Sequence, residues 1–310
     1  AHAGGARTVL HNLLLTASAP ALDAALATAR PGAHGVLPGA PPAPGNDGEG
    51  ALLPVAALRT AVQLGHADAA ADADGVVRRA DGPRALSRIS EPNPMPTAKL
   101  EERRIIHRNE SVREQANAFR ELRTCLLALG GGTNFITLVV PVADGCGGSF
   151  VARNLAAAFA FDDTKSALLV DCDVRQPSQH EAFGIDANQG GLIDYLRDDS
   201  IDVPSILYRT GVPGLQLVPA GEQREVTGEV FSSQRMRAMV RALHDRYPDR
   251  YLILDGPSVL GSPDARILAE LADLVVLVTG YGQVTMDAVD KAVANFDPSK
   301  LAGVVLNKRP

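Results

Sequence analysis

A glycine-rich loop, Asp144-Gly-Cys-Gly-Gly-Ser149, stands between the apolar run FITLVVPV and the helix-forming stretch SFVARNLAAAFAF. Glycines at 145 and 147 let a backbone close around an anion, and the first N–H groups of a helix opening at Ser149 add the positive end of a dipole. The Ser149 hydroxyl is of the type that ligates magnesium. In LLVDCDVRQP, Asp171 and Asp173 close a second apolar run. Two carboxylates there are costly to bring together unless a proton or cation compensates them, and magnesium bound to phosphate is the natural cation. A third run, LILDGPS, ends on Asp255, the usual position of an outer magnesium ligand or water-orienting group. Each feature has a plainer reading: a ligand-free strand-to-helix turn, or aspartates that cap helices. Three carboxylates at two strand ends beside one glycine loop favour a phosphate site over three unrelated caps.

The elements that must position these groups alternate from Phe135 onward. After FITLVVPV and SFVARNLAAAFAF come SALLVDCD, LQLVPAG, the helical SSQRMRAMVRALHDRY, YLILDGP, the helical PDARILAEL, DLVVLVTG, the helical TMDAVDKAVANF and LAGVVLN. Continuous Val, Ile and Leu without polar alternation marks strands buried on both faces, so the pattern predicts an α/β fold with a mostly parallel, doubly wound sheet between two helical layers. In such folds ligands sit beyond the carboxyl ends of the strands, so the loops after Val142, Val170 and Leu254 should converge. Upstream, SVREQANAFRELRTCLLALG predicts an amphipathic helix with Phe119, Leu122, Leu126 and Leu127 on one face, ended by Gly130-Gly131-Gly132.

Residues 1–95 read differently. They are rich in Ala, Gly, Pro and Asp, lack a sustained period, and predict a largely disordered or weakly helical segment, in which Leu52 to Leu64 reads equally as a short helix or an Ala-rich linker, ahead of one domain over 96–310. The formal net charge of -6 argues against nucleic acid as a partner. The 3 cysteines, Cys125, Cys146 and Cys172, have neither metal-ligand spacing nor the even number of a disulfide framework, which fits a reducing cytoplasm. No apolar run has the length of a membrane span; LHNLLLTASAPAL is too short and too interrupted.

In order, VADGCGGSFVARNLAAAFA, ALLVDCDVRQP, GLIDYL, LVPAG, SSQRMRAMVRALHDRYPDRYLILDGPSVL and GVVLN resemble the cytoplasmic domain of bacterial tyrosine kinases. These are MinD/ParA-like P-loop NTPase proteins of capsule and exopolysaccharide loci. The RYPDR motif and the VLNK ending are most similar to the soluble, exosortase-associated form. The resemblance runs from about Leu100 onward and implies ATP or ADP with Mg2+ at a Walker A loop comprising Gly145, Cys146, Gly147, Gly148 and Ser149, with Phe150 next to it. It also implies metal contacts from Ser149, Asp173 and Asp255, catalytic roles for Asp171 and Asp173 in accepting a tyrosine proton, and an adenine contact at Asn307. A protein-tyrosine autokinase is the implied activity. Implied partners are a membrane chain-length determinant, which would make a cytoplasmic chain peripheral at the inner membrane, and further copies of itself through the helix over 111–130.

Several positions depart from that family's pattern. Family members carry Lys where this chain has Gly148, an ammonium that neutralises the β- and γ-phosphates during transfer. Arg153, Lys165, Arg175 and Lys308 are the candidate substitutes, and Gly148→Lys is expected to tighten nucleotide binding. The assembly helix keeps Arg120 and Arg123 but has Asn117 in place of Glu, and Gly256-Pro257-Ser258 interrupts the usual Pro-Pro. Two further functions therefore stay open: a non-catalytic pseudokinase scaffold, and a MinD/ParA-type positioning ATPase. The latter calls for a signature Lys early in the loop that is absent here.

Overall fold

The computed structural model describes residues 15–16, 93–221 and 228–307. Most of the expected N-terminal segment, the helix near Leu52 to Leu64, and Lys308 lie outside the described residues. Eight strands form one sheet: β1 (Leu15–Thr16), β2 (Ile136–Pro141), β3 (Ser166–Asp171), β4 (Tyr208–Arg209), β5 (Leu215–Val218), β6 (Arg250–Asp255), β7 (Leu274–Gly280) and β8 (Leu301–Asn307), in the order β1-β8-β7-β2-β6-β3-β5-β4. β2, β3, β5, β6, β7 and β8 are mutually parallel, while β1 and β4 add antiparallel at the two edges.

The helices are α1 (Thr97–Glu102), α2 (Arg113–Leu129), α3 (Gly148–Ala160), α4 (Gln179–Phe183), α5 (Leu192–Arg197), α6 (Gln234–Asp245), α7 (Asp264–Leu271) and α8 (Met286–Val293). Alternate strand residues feed two cores, because successive side chains point to opposite faces of a sheet. Leu138, Val140, Leu168, Val170 and Leu254 pack on one side with Met236 and Met239 of α6, Leu268 of α7 and Val289 of α8. Val139, Leu169, Ile253, Val276 and Val278 pack on the other with Val151, Leu155 and Phe159 of α3 and, beyond it, Phe119, Leu122 and Leu126 of α2. The sequence-derived strands and long helices all form. Leu127 is only half-buried, and Ala116 completes the buried stripe of α2 in its place. Short elements that carry no periodic signal, α1, α4, α5 and β4, become visible only in the structure.

Two parallel central strands set the geometry of the site. β3 and β6 pair with Asp171 opposite Asp255, so both carboxylates leave the sheet at the same level. β2 lies on the other side of β6 and delivers the glycine loop to the same edge.

Candidate functional site

The loop after β2 closes through two left-handed glycines, Gly145 at φ 81° and Gly147 at φ 87°. Such angles are unstrained only without a Cβ. Gly147 has a second constraint: a Cβ there would fall on the Asn307 amide nitrogen, which donates to the Cys146 carbonyl at 3.1 Å. The last residue of β8 thus ties down the loop. No side chain caps α3, so the first N–H groups of this 13-residue helix are left to an external acceptor.

Beneath the loop, Asp171 and Asp255 are wholly buried. Asp171 Oδ1 accepts the Asp173 N–H at 3.2 Å, and its Oδ2 accepts those of Ser178 and Gln179 at 3.2 and 3.1 Å. Gln179, also wholly buried, donates through Nε2 to Asp255 Oδ2 at 2.6 Å and to the Ser149 carbonyl at 3.0 Å. It clasps the start of α3 to the end of β6. Burial pushes the Asp255 pKa up to about 7, against the lowering effect of hydrogen bonds from Gln179 and Ser149. Burial, then the neighbouring Asp255 charge, carries Asp171 well above the ordinary carboxylate range. Asp173 is raised as well, chiefly by burial. Asp255 Oδ1 is buried with no hydrogen-bond partner, and so is Gln179 Oε1.

This donor set fits a magnesium nucleotide. The open end of α3 and the glycine loop suit phosphate oxygens, while the Ser149 hydroxyl and the orphaned Asp255 oxygen suit a hydrated divalent cation. Among the described residues no group of three or more His, Cys, Asp and Glu is placed to hold a metal by itself. A magnesium ion here would therefore depend on nucleotide oxygens for part of its shell. Bound, the pair would supply a polarised phosphoryl group and a counter-charge to the two buried carboxylates.

The loop, carboxylate and β8 residues singled out in the sequence gather at this edge of the sheet: Gly145 to Phe150 in the loop and first turn, Asp171 and Asp173 at and just after the end of β3, Asp255 at the end of β6, Asn307 at the end of β8. Two features bear on the expectations for Gly148 and the assembly arginines. Gly148 begins α3 outside the left-handed region, yet a Cβ placed on it would stand 2.5 Å from Pro141 Cδ and 3.1 Å from Pro141 N. A lysine at 148 therefore meets a rigid ring before it meets a phosphate, and Gly148→Lys alone is not a restoration. Of the two assembly arginines, Arg123 is turned inward, its Nη1 donating to the Ala158 carbonyl at 2.8 Å. Arg120 bonds Asn117 Oδ1 at 3.0 Å and lies 5.5 Å from the Phe161 ring.

Gln179 and Pro141 were missed by sequence reasoning. Gln179 follows Asp171 in a stretch with no periodic pattern, and nothing local marks a glutamine for burial. Pro141 had a signal, since a proline closing a central strand is unusual, but its contact with Gly148 is a matter of three-dimensional packing. Cys146 and Cys172 are buried free thiols, and burial pushes the Cys172 thiol well above its ordinary pKa, which makes it a poor nucleophile.

The chain is similar to known tyrosine kinases, while no protein-family model matches. The chain is 30% identical over 193 residues to the tyrosine-protein kinase wzc of Salmonella typhimurium, covering 61% of this chain and 26% of that one. It thus spans about a quarter of the length of that relative. It is 30% identical over 192 residues to the tyrosine-protein kinase CpsD of Streptococcus agalactiae, covering 61% of this chain and 82% of CpsD. Its structure superposes on the kinase domain of the Escherichia coli tyrosine kinase ETK with a TM-score of 0.59 and 25% identity, over 69% of this chain and 88% of that domain.

Proposed function

The chain belongs to the bacterial tyrosine kinase family, and from that premise we propose that it is a nucleotide-binding regulator of capsule or exopolysaccharide assembly with little phosphotransfer of its own. One observation carries this reading: the Pro141 ring occupies the space in which a side chain at 148 would begin. The loop keeps backbone donors, which depend on glycine geometry, and lacks the mobile ammonium that offsets phosphate charge during transfer. Ser149, Asp173 and Asp255 would hold magnesium, Asn307 would lie toward the adenine, and Asp171 and Asp173 are the carboxylates that would take a proton from a hydroxyl. In this role the chain works in the cytoplasm, docked on a membrane chain-length determinant, as a pseudokinase subunit that responds to ATP or ADP. The RYPDR motif supports placing it with the soluble, exosortase-associated members.

Calorimetric titration of ATP and ADP, with and without Mg2+, tests the reading together with a phosphotyrosine assay on the same protein. Weak, magnesium-dependent binding and no phosphotyrosine are expected. Rapid autophosphorylation would overturn the regulatory reading in favour of an active kinase. Absence of all nucleotide binding would leave a scaffold without a nucleotide switch.

A further inference from the structure

The nucleotide reading leaves a charge unaccounted for: triphosphate oxygens approach a loop with no lysine, above two buried carboxylates. Four cations were candidates for offsetting it. Lys165 lies just before β3, at the opposite end of that strand, and pairs with Asp249 at 3.3 Å. Arg175 stands 3.7 Å from Asp264 Oδ2 and has a side chain 54% exposed, so solvent screens its charge. Lys308 lies outside the described residues.

Arg153 is placed differently. It follows Ser149 by four residues on α3, so the two share a helix face, and side chains on a helix lean back toward its N-terminus. That direction leads to the loop. The Phe150 ring lies 5.8 Å from the guanidinium carbon and gives it an aromatic wall. Its Nε is sealed from solvent with no hydrogen-bond partner among the described residues, an unused donor. Burial lowers the guanidinium's pKa while attraction from Asp255 and Asp171 raises it, and the charges that bear on it are those two carboxylates and Arg104. An arginine keeps its charge even when desolvated, which a lysine in the same place would not reliably do.

Resting on the nucleotide-binding reading above, we propose that Arg153 is the cation that meets the nucleotide's phosphates in this lysine-less loop. The charge absent at 148 is supplied from about one and a half helical turns further along the same helix. In this role the fixed guanidinium offsets phosphate charge through its planar fork of donors.

The test is titration of adenosine, ADP and ATP, each with Mg2+, into the parent, Arg153→Ala, Arg153→Gln and Arg175→Ala. Loss of a charge-assisted contact should weaken ATP about ten- to a hundredfold in both Arg153 variants. ADP should weaken less and adenosine hardly at all, a ratio that mere loosening of the fold would not produce. Arg153→Gln keeps the bulk of the side chain, so it reports on charge even where Arg153→Ala folds poorly. Arg175→Ala should stay within about threefold of the parent. Equal ATP affinity in the parent and Arg153→Gln would overturn the assignment while leaving the nucleotide reading intact. No ATP binding by the parent would overturn both.

Discussion

Replacing Gly148 by lysine is the natural repair of the loop, and the structure gives it a cost. An ideal Cβ at 148 stands 2.5 Å from Pro141 Cδ and 2.9 Å from Cγ, where ordinary contact begins near 3.4 Å. The proline ring cannot rotate away, and its own backbone nitrogen lies 3.1 Å from the same point. Overpacking of this kind destabilises by about 1–3 kcal/mol. For a domain of this size that corresponds to a fall in melting midpoint of roughly 2–12 °C. Pro141→Ala removes both ring carbons and leaves only the tight but tolerable approach to the nitrogen. Gly148→Lys should therefore lower the melting midpoint without a full gain in ATP affinity. Pro141→Ala/Gly148→Lys should recover much of the loss and tighten ATP by roughly tenfold to a hundredfold, the worth of a charge-assisted contact. Differential scanning calorimetry and titration calorimetry on the two variants decide the matter. A single variant as stable as the parent and markedly tighter for ATP would refute the packing argument.

The Asp255 carboxyl, with a pKa near 7 in the fold against about 3.9 in an unfolded chain, contributes stability that is complete below about pH 4 and lost as pH rises to about 7. Asp255→Asn should therefore melt higher than the parent at pH 8, by up to roughly 4 kcal/mol, with the gap closing toward pH 4; a pH series of thermal melts checks this. Gln179→Ala strips the donor from buried Asp255 and should destabilise by about 1–3 kcal/mol, read from urea unfolding at pH 8. Because Arg123 bonds the Ala158 carbonyl within its own chain, Arg123→Ala should lower stability by about 1 kcal/mol with little change in self-association. If the chain self-associates through α2, Arg120→Ala should weaken that association in sedimentation velocity, and equal effects of the two changes would contradict this division of roles.

Much of this architecture was legible because burial on both faces leaves a plain trace. Strands β2, β3, β6, β7 and β8 are nearly unbroken Val, Ile and Leu, and each of β3 and β6 stops at an aspartate. The glycine loop announced itself through residues that tolerate positive φ. Contacts between distant segments left no such trace. Gln179 reaches Asp255 across 76 residues, and hydrophobic periodicity reports only that a position is buried, not which group it faces. The inward turn of Arg123 was hidden for the same reason, since an arginine on an amphipathic helix reads as a solvated face. Pro141 and Gly148 were each visible, yet their mutual exclusion depends on where a ring lies when β2 enters α3.

The tie between Asn307 and the loop has a consequence for the order in which the molecule acquires its binding competence. The amide that fixes the Cys146 carbonyl comes from the end of β8, 161 residues further along the chain. A ribosome delivers the loop first and this clamp much later, at about 5–20 residues per second. The stretch from Gly145 to Ser149 must therefore wait several seconds or more, with β2 and α3 already available, until β8 has docked beside β7. Until then its left-handed glycines lack the Asn307 clamp, and glycine populates many conformations at similar energy. On the nucleotide-binding reading proposed above, recognition would come late in synthesis, set by the arrival of β8.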